Sequence, residues 1–220
     1  MEDSTARIYK RALRISIDLS ALKNNLEVAR EHSDGQKLFA VVKADAYGHG
    51  AVQVAQALER ADGFAVVTLQ EALELREASV TKPILVMQGP QVQRECPAFL
   101  NHSLWPVVHC EEQLKWFERL SNKHKLQAWL EIDTGMGRLG FTPEHAQNVL
   151  ANTNGLDWFG VMTHFASADE PEQPKTKLQI DTFIKLTKHL SVQKSLANSA
   201  GVLAWADSKA DWARPGIMLY

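Results

Sequence analysis

Residues 39–50 read Phe-Ala-Val-Val-Lys-Ala-Asp-Ala-Tyr-Gly-His-Gly. The apolar run from Phe39 to Val42 is short, partly β-branched, and stops on Lys43, with small residues and two glycines directly behind it. Four apolar residues bounded by glycine predict a buried strand rather than a helix. Lys43 then falls at the strand's C-terminal end, the edge where α/β proteins carry their chemistry. A lysine held against apolar walls loses hydration, which disfavours the ammonium and frees the amine as a nucleophile. Tyr47 adds a phenol one short turn away, and Gly48 and Gly50 let backbone approach a ligand closely. A strand-end lysine in water ahead of an ordinary glycine loop would have the same local features, so the rest of the chain has to decide.

Outward from that strand, apolar runs and amphipathic stretches alternate. Ile15 and Ile17 suggest a short strand, and Ser20 is placed to cap a helix over 21–31 with Leu22, Leu26 and Ala29 on one face. Further strands are predicted at 63–68, 83–88, 104–109, 126–133 and 156–164, with helices at 51–60, 69–78, 111–120, 143–151 and 179–190. Two shorter apolar segments, 196–200 and 216–220, are assigned as strands seven and eight. A β-α unit recurring every ~25–30 residues is the signature of a parallel architecture. Eight strands favour a closed (β/α)8 barrel over an open doubly wound sheet. Residues 166–177, with two prolines and several acids, read as an irregular loop on the active-site face. The organisation expected is a tail over 1–14 and one barrel over 15–220.

Composition narrows the class. The chain has 220 residues, 45% of them apolar and 23% charged, enough for one well-filled domain. A net charge of −2 gives no support for a nucleic-acid or membrane-surface partner. No apolar run is long enough to span a bilayer, and the charged N-terminus lacks the apolar core of a secretory signal. Cys96 and Cys110 have no metal-ligand spacing around them and read as inert thiols in a reducing cytoplasm; no metal site is expected.

If the barrel closes, the polar residues ending each strand converge on one mouth. Lys43 ends the first. Behind the fifth comes a glycine-punctuated turn, Glu131-Ile-Asp-Thr-Gly-Met-Gly-Arg-Leu-Gly140, in which Arg138 can fork onto a carboxylate or an oxyanion. His164 ends the sixth strand. Asn198-Ser199-Ala200-Gly201 offers a hydroxyl and backbone N–H groups suited to phosphate, and Arg214-Pro-Gly216-Ile217 joins a cation to a close-approach glycine. Each taken singly is an ordinary loop residue or core filler. Their shared position at successive strand ends is improbable as coincidence.

The strings AVVKADAYGHG (40–50), DTGMGRLG (133–140), ANSAG (197–201) and RPGIMLY (214–220) resemble segments of the bacterial alanine racemases, a likeness running from about Ile15 to the last residue. The resemblance implies an N-terminal barrel binding pyridoxal 5′-phosphate (PLP), followed by a C-terminal β-domain, in a head-to-tail homodimer acting on alanine. By motif, Lys43 would carry PLP covalently and serve as one of two acid/base groups. Tyr47, Asn198, Ser199, Gly216 and Ile217 would hold the cofactor, chiefly at its phosphate. Arg214 would face the pyridine nitrogen with His164 behind it, and Arg138 would contact the cofactor's phenolic oxygen and place the substrate carboxylate.

Two departures stand out. Glu131 occupies a position where many members of the family have a lysine that can be carbamylated; it is read either as a permanent negative charge orienting Arg138 or as a strand residue facing away. The C-terminal β-domain is absent, and with it the partner subunit's catalytic tyrosine, so this chain alone is expected to bind PLP but to racemise poorly. A closing helix after strand eight is also expected to be missing, leaving apolar surface open. A broad-specificity amino-acid racemase and a non-catalytic barrel of PLP homeostasis are the alternatives. The tryptophans at 129, 158, 205 and 212 are read as fillers.

Overall fold

The structure is a computed structural model that describes residues 15–120, 126–152 and 156–220. The expected tail over 1–14 lies outside the described residues. Eight parallel strands close into a barrel in sequence order. They are β1 (Lys37–Val41), β2 (Gly63–Val66), β3 (Ile84–Val86), β4 (Trp105–Val108), β5 (Leu126–Glu131), β6 (Leu156–Met162), β7 (Gln193–Ser195) and β8 (Trp212–Ala213). Closure is made by β1 against β8, pairing Lys37 with Trp212 and Leu38 with Ala213. The helices are α1 (Leu19–His32), α2 (Ala51–Ala57), α3 (Leu69–Glu77), α4 (Cys96–Asn101), α5 (Glu111–Glu118), α6 (Pro143–Asn152), α7 (Pro174–Thr187) and α8 (Ser199–Ala204).

The core has two compartments because a strand presents alternate residues to opposite faces. On β1, Leu38, Ala40 and Val42 join the layer between strands and helices, whereas Phe39 and Val41 fill the lumen. Trp129, Met162 and Trp212 fill it from β5, β6 and β8. Phe39 stacks on Trp212 at 4.1 Å and meets Trp129 edge-on at 5.9 Å, the arrangements aromatic quadrupoles prefer. The lumen is therefore packed solid, not a pore. Room for these rings comes from glycine: a Cβ on Gly160 would lie 2.6 Å from the Trp129 ring, and one on Gly63 2.8 Å from Phe39.

Five expectations need correction. Residues 15–18 form no strand, Ile15 is exposed, and the cap of α1 is Asp18 rather than Ser20: its carboxylate accepts from the N–H of Ser20 at 2.8 Å and of Ala21 at 3.2 Å. Strands seven and eight lie upstream of the predicted segments. Residues 196–200 are the exit from β7 and the start of α8, and residues 216–220 contain the 3-10 turn Ile217–Leu219. The irregular loop is shorter than expected because α7 opens at Pro174, a residue whose missing N–H costs nothing at a helix start. Finally, α1 packs against α2, α8 and the Ile217–Leu219 turn, burying Leu22, Leu26 and Ala29. The helix that covers the β8–β1 seam thus precedes the first strand rather than following the last. Asn25 fastens it by donating to the Leu219 carbonyl at 3.0 Å.

Filling the Gly160 gap tests the lumen. Gly160→Ala forces a methyl into the Trp129 ring and the Gln193 carbonyl, 2.8 Å away, so the variant is expected to lose ~1–3 kcal/mol in urea unfolding followed by tryptophan fluorescence. An unchanged midpoint would show that the aromatic stack yields freely.

Candidate active site

The two-residue period carries over from the lumen to the mouth. Lys43 continues the inward phase of Phe39 and Val41, Glu131 that of Trp129, His164 that of Met162, and Arg214 that of Trp212. Lys43 opens an unusual segment. Ala44 through Tyr47 hold φ of 51 to 54° and ψ of 34 to 53°, one turn of left-handed helix built without glycine. Each such residue costs ~1–2 kcal/mol relative to a right-handed turn, so the surroundings must impose it. Asp45 accepts from the Ala51 N–H at 2.7 Å, the Ala46 N–H reaches the Val42 carbonyl at 3.0 Å, and Glu71 accepts from the Ala44 N–H at 2.7 Å. The rings of Tyr47 and His49 both lie 4.9 Å from Tyr220, whose hydroxyl donates to the Val41 carbonyl at 2.9 Å. Lys43 itself is half-buried, so the apolar walls expected to strip its hydration are only partly present; its Nζ stands 5.8 Å from the Tyr47 ring centre.

At the exit of the neighbouring strand β8, Arg214 is 2% exposed and built into the wall. Its Nη1 donates to Ser195 Oγ and its Nη2 to the Thr163 carbonyl at 2.6 Å, with His164 Nδ1 at 3.4 Å. Burial pushes its pKa down to about 10, opposed by Glu131, so it still carries its charge at neutral pH. Burial, and then the cations of Arg214, Arg138 and Lys43, push His164 down to about 3. His164 is therefore neutral, and its Nδ1 accepts from Arg214. Glu131 is buried facing the same ground; burial raises its carboxyl to about 7 against the pull of Arg214 and Arg138. The reading of Glu131 as a residue facing away does not hold.

The turn behind β5 is held by Asp133, which accepts from the N–H of Gly135 and Gly137 at 2.9 and 3.0 Å. Gly140 closes it at φ 115°, where a Cβ would sit 2.7 Å from the Asp133 nitrogen, so only glycine fits. Arg138 is exposed on this turn and stands apart from the cleft.

That cleft, about 250 Å³, is lined by Lys43, Tyr47, His164, Asn198, Ser199, Arg214, Gly216 and Ile217. Asn198 lines it with its amide oxygen engaged in capping α8 through the Gly201 N–H at 2.9 Å. Ser199 Oγ accepts from the N–H of Gly216 at 2.9 Å and of Met218 at 3.3 Å. A Cβ on Gly216 would lie 2.6 Å from the Tyr47 hydroxyl, so hydroxyls and backbone N–H groups crowd into one corner only because residue 216 has no side chain. Val41, Met87, Asp169 and Ala200 complete the lining and were not anticipated. Neither was Glu71, although Thr68-x-x-Glu71 is a legible capping box: its carboxylate also accepts from Val67 and Thr68.

The cleft fits a small phosphorylated ring. Arg214 Nε is buried with no hydrogen-bond partner among the described residues, a donor left for a ligand acceptor. Two cations, Lys43 and Arg214, line the cleft beside a neutral histidine, and the hydroxyls of Tyr47 and Ser199 meet at Gly216 in a corner suited to an anion. Among the described residues no cluster suits a metal ion, and no helix is long and apolar enough to cross a membrane. Cys96 and Cys110 are both free, and burial raises both thiols, Cys96 to about 11.

Comparison with known proteins agrees with the geometry. Residues 17–220 match the family described as alanine racemase, N-terminal domain. The alanine racemase of Shewanella sediminis is 46% identical over 211 residues, covering 94% of this chain and 59% of that protein. The crystal structure of the biosynthetic alanine racemase from Pseudomonas aeruginosa superposes with a TM-score of 0.87 at 40% identity, covering 93% of this chain and 58% of that one. The alanine racemase of Bartonella henselae, solved with covalently bound pyridoxal phosphate, gives a TM-score of 0.84 at 28% identity, over 93% of this chain and 62% of that one. The chain thus spans about three fifths of the length of these relatives.

The raised Glu131 carboxyl has a measurable signature. The folded chain holds this proton more tightly than the unfolded chain, so the group's contribution to stability is full below pH 4.5 and is lost as pH climbs to about 7. His164 works the other way, its contribution growing as pH rises from about 3 to 6.5. Subtracting the parent's unfolding free energy from that of Glu131→Gln isolates the first term. The difference is expected to rise by ~3 kcal/mol between pH 4.5 and 7 in urea titrations. A difference that stays flat with pH would mean that the folded carboxyl is ionised throughout.

Proposed function

The chain belongs to the alanine racemase family, and on that premise we propose that it is the cofactor-binding barrel of a PLP-dependent racemase interconverting L- and D-alanine. The product D-alanine would serve peptidoglycan synthesis in the cytoplasm. The observation that carries the reading is the unpartnered Nε of buried Arg214 in the same cleft as Lys43 and the Tyr47–Ser199–Gly216 corner. The unit is taken as one barrel over 15–220, preceded by the tail 1–14, in a homodimer whose C-terminal β-domain lies outside this chain.

PLP, when bound, supplies the electron sink that acidifies the substrate's α-carbon. Lys43 would hold it covalently and, once the substrate's amine has replaced it in that link, its freed amine would take or return a proton at one face of the α-carbon. Tyr47, Ser199 and the backbone at Gly216 and Ile217 would hold the phosphate, with Asn198 fixing the start of α8 behind them. Arg214 offers its Nε to the pyridine nitrogen. With a pKa near 10 it keeps its own proton and would meet that nitrogen as a hydrogen-bond donor without protonating it, an arrangement that would favour return of the proton to the α-carbon over transamination. His164, neutral, accepts from Arg214 and holds its plane. Arg138 would place the substrate carboxylate, and Glu131, when ionised, would supply a negative charge that orients Arg138 where many relatives use a modified lysine. The second acid/base is a tyrosine from the partner subunit's C-terminal domain.

Adding PLP and then borohydride to the 220-residue chain is expected to give an absorbance band at the violet edge of the visible, and one pyridoxyl adduct, on Lys43, by mass spectrometry. Lys43→Ala abolishes both. Racemisation by this chain alone is expected to fall at least ~100-fold below that of the complete protein, the usual weight of one acid/base group. Scattered labelling of surface lysines, or equal activity of the two proteins, would overturn the reading.

A further inference from the structure

The Arg138 turn and the β6 exit carrying His164 are separate irregular segments, yet one buried side chain on α7 touches both. Gln179 is 1% exposed. Its Nε2 donates to the His164 carbonyl at 2.9 Å and to Thr134 Oγ1 at 3.3 Å, and its Oε1 accepts from the Ala166 N–H at 3.0 Å. Thr134 Oγ1 lies 2.7 Å from Thr163 Oγ1, and the carbonyl of Thr163 receives Arg214 Nη2. A Cβ on Gly135 would lie 3.6 Å from Gln179 Cγ, so the turn rests directly on the glutamine stem.

We propose that Gln179 is a positioning residue that fixes the Arg138 turn against the β6 exit and so sets where the substrate carboxylate is received relative to His164 and Arg214. The chemistry is particular to a primary amide. Both N–H donors and the carbonyl are engaged, each on a different segment, and no other side chain of this length offers two donors and an acceptor in one plane. Glutamate would keep the acceptor for Ala166 and lose both donors; methionine would keep the volume and lose all three bonds. A buried polar group whose partners are all met selects one arrangement of its surroundings. The base of the turn is paired to the end of β6 by the Ile132 N–H on the Met162 carbonyl at 2.8 Å and closed by the Asp133 N–H on the Phe141 carbonyl at 2.9 Å, and Asp133 binds Gly135 and Gly137 within it; among the described residues the side-chain hydrogen bonds from 133–140 to the β6 exit run through Thr134, to Gln179 and Thr163. The inference deepens the racemase reading, on which its link to a substrate carboxylate rests.

The test is Gln179→Met in the complete protein, read by amide hydrogen exchange and by steady-state kinetics with alanine. Expected are ~10-fold faster exchange in peptides covering 133–140 and 164–168 with the lumen strands unchanged, and a KM for alanine raised ~10-fold with kcat within ~3-fold. PLP uptake should be unchanged. Gln179→Glu should behave alike at neutral pH and return toward the parent, compared at equal pH, as its carboxyl gains a proton and with it a donor. If Gln179→Met fails to fold, Thr134→Val should loosen 133–140 alone. Unchanged exchange in both segments, or faster exchange spread evenly over the barrel, overturns the proposal. Localised exchange with an unchanged KM overturns the substrate link. A parent without racemase activity defeats the functional reading instead, and the exchange data then decide the role of Gln179 by themselves.

Discussion

The site depends on one constraint: the barrel lumen is full. Phe39, Trp129 and Trp212 occupy the middle of the barrel in ring-to-ring contact, and Gly63 and Gly160 are bare because those rings need the space. A packed lumen leaves no ligand space inside, so chemistry is confined to the rung above it. Strand periodicity then decides which residues occupy that rung. Two residues beyond Val41, Trp129, Met162 and Trp212 stand Lys43, Glu131, His164 and Arg214. A one-residue slip in any of these strands would turn one of these polar groups toward the helices and its neighbour into the cleft. Core packing and site geometry are thus the same requirement.

Above that floor the backbone leaves regular structure where Lys43 needs it to. Four consecutive non-glycine residues in left-handed geometry oppose their intrinsic preference. What holds them is spread over distant segments: Glu71 from the start of α3, Asp45 toward α2, and Tyr220 with its hydroxyl on Val41. The turn brings the Tyr47 hydroxyl up to Gly216, across the closure between first and last strands. The phosphate-suited corner is therefore assembled by closure of the barrel itself, and neither edge of the sheet alone contains it.

Much of this was legible in the chain and some was not, for physical reasons. Strands one to six announce themselves as apolar runs, because each buries one face in the lumen and the other under helices. The last two do not. Gln193–Ser195 and Trp212–Ala213 are three and two residues long and largely polar or single-aromatic, so an apolar-run reading slides to the neighbouring 196–200 and 216–220. The motif residues at strand ends were found because glycines mark them. Asp169, Glu71 and Gln179 were not, because a loop acid, a helix-cap acid and a mid-helix amide look ordinary until the fold carries them to the mouth. The left-handed turn had no signal either: Ala-Asp-Ala-Tyr contains no glycine, and its geometry is imposed by tertiary contacts.

The electrostatics of the mouth follow from burial working on opposite charges. Arg214 stays cationic at neutral pH because burial, opposed by Glu131, brings it only to about 10, and its Nη donors are met by Ser195, Thr163 and His164, whereas His164, in the same ground, is held neutral. A charged histidine there would have no acceptor to offer Arg214 and would repel it. Glu131 is the counterweight, yet no hydrogen bond or ion pair from a described residue reaches its carboxyl, which is why burial outweighs both arginines and lifts it to about 7. A carboxyl poised at that value ionises most readily when something adds positive charge or a donor nearby. The same buried acid therefore weakens the barrel at neutral pH, where it ionises without a hydrogen-bond donor from the described residues, and the two arginines offset only part of that cost.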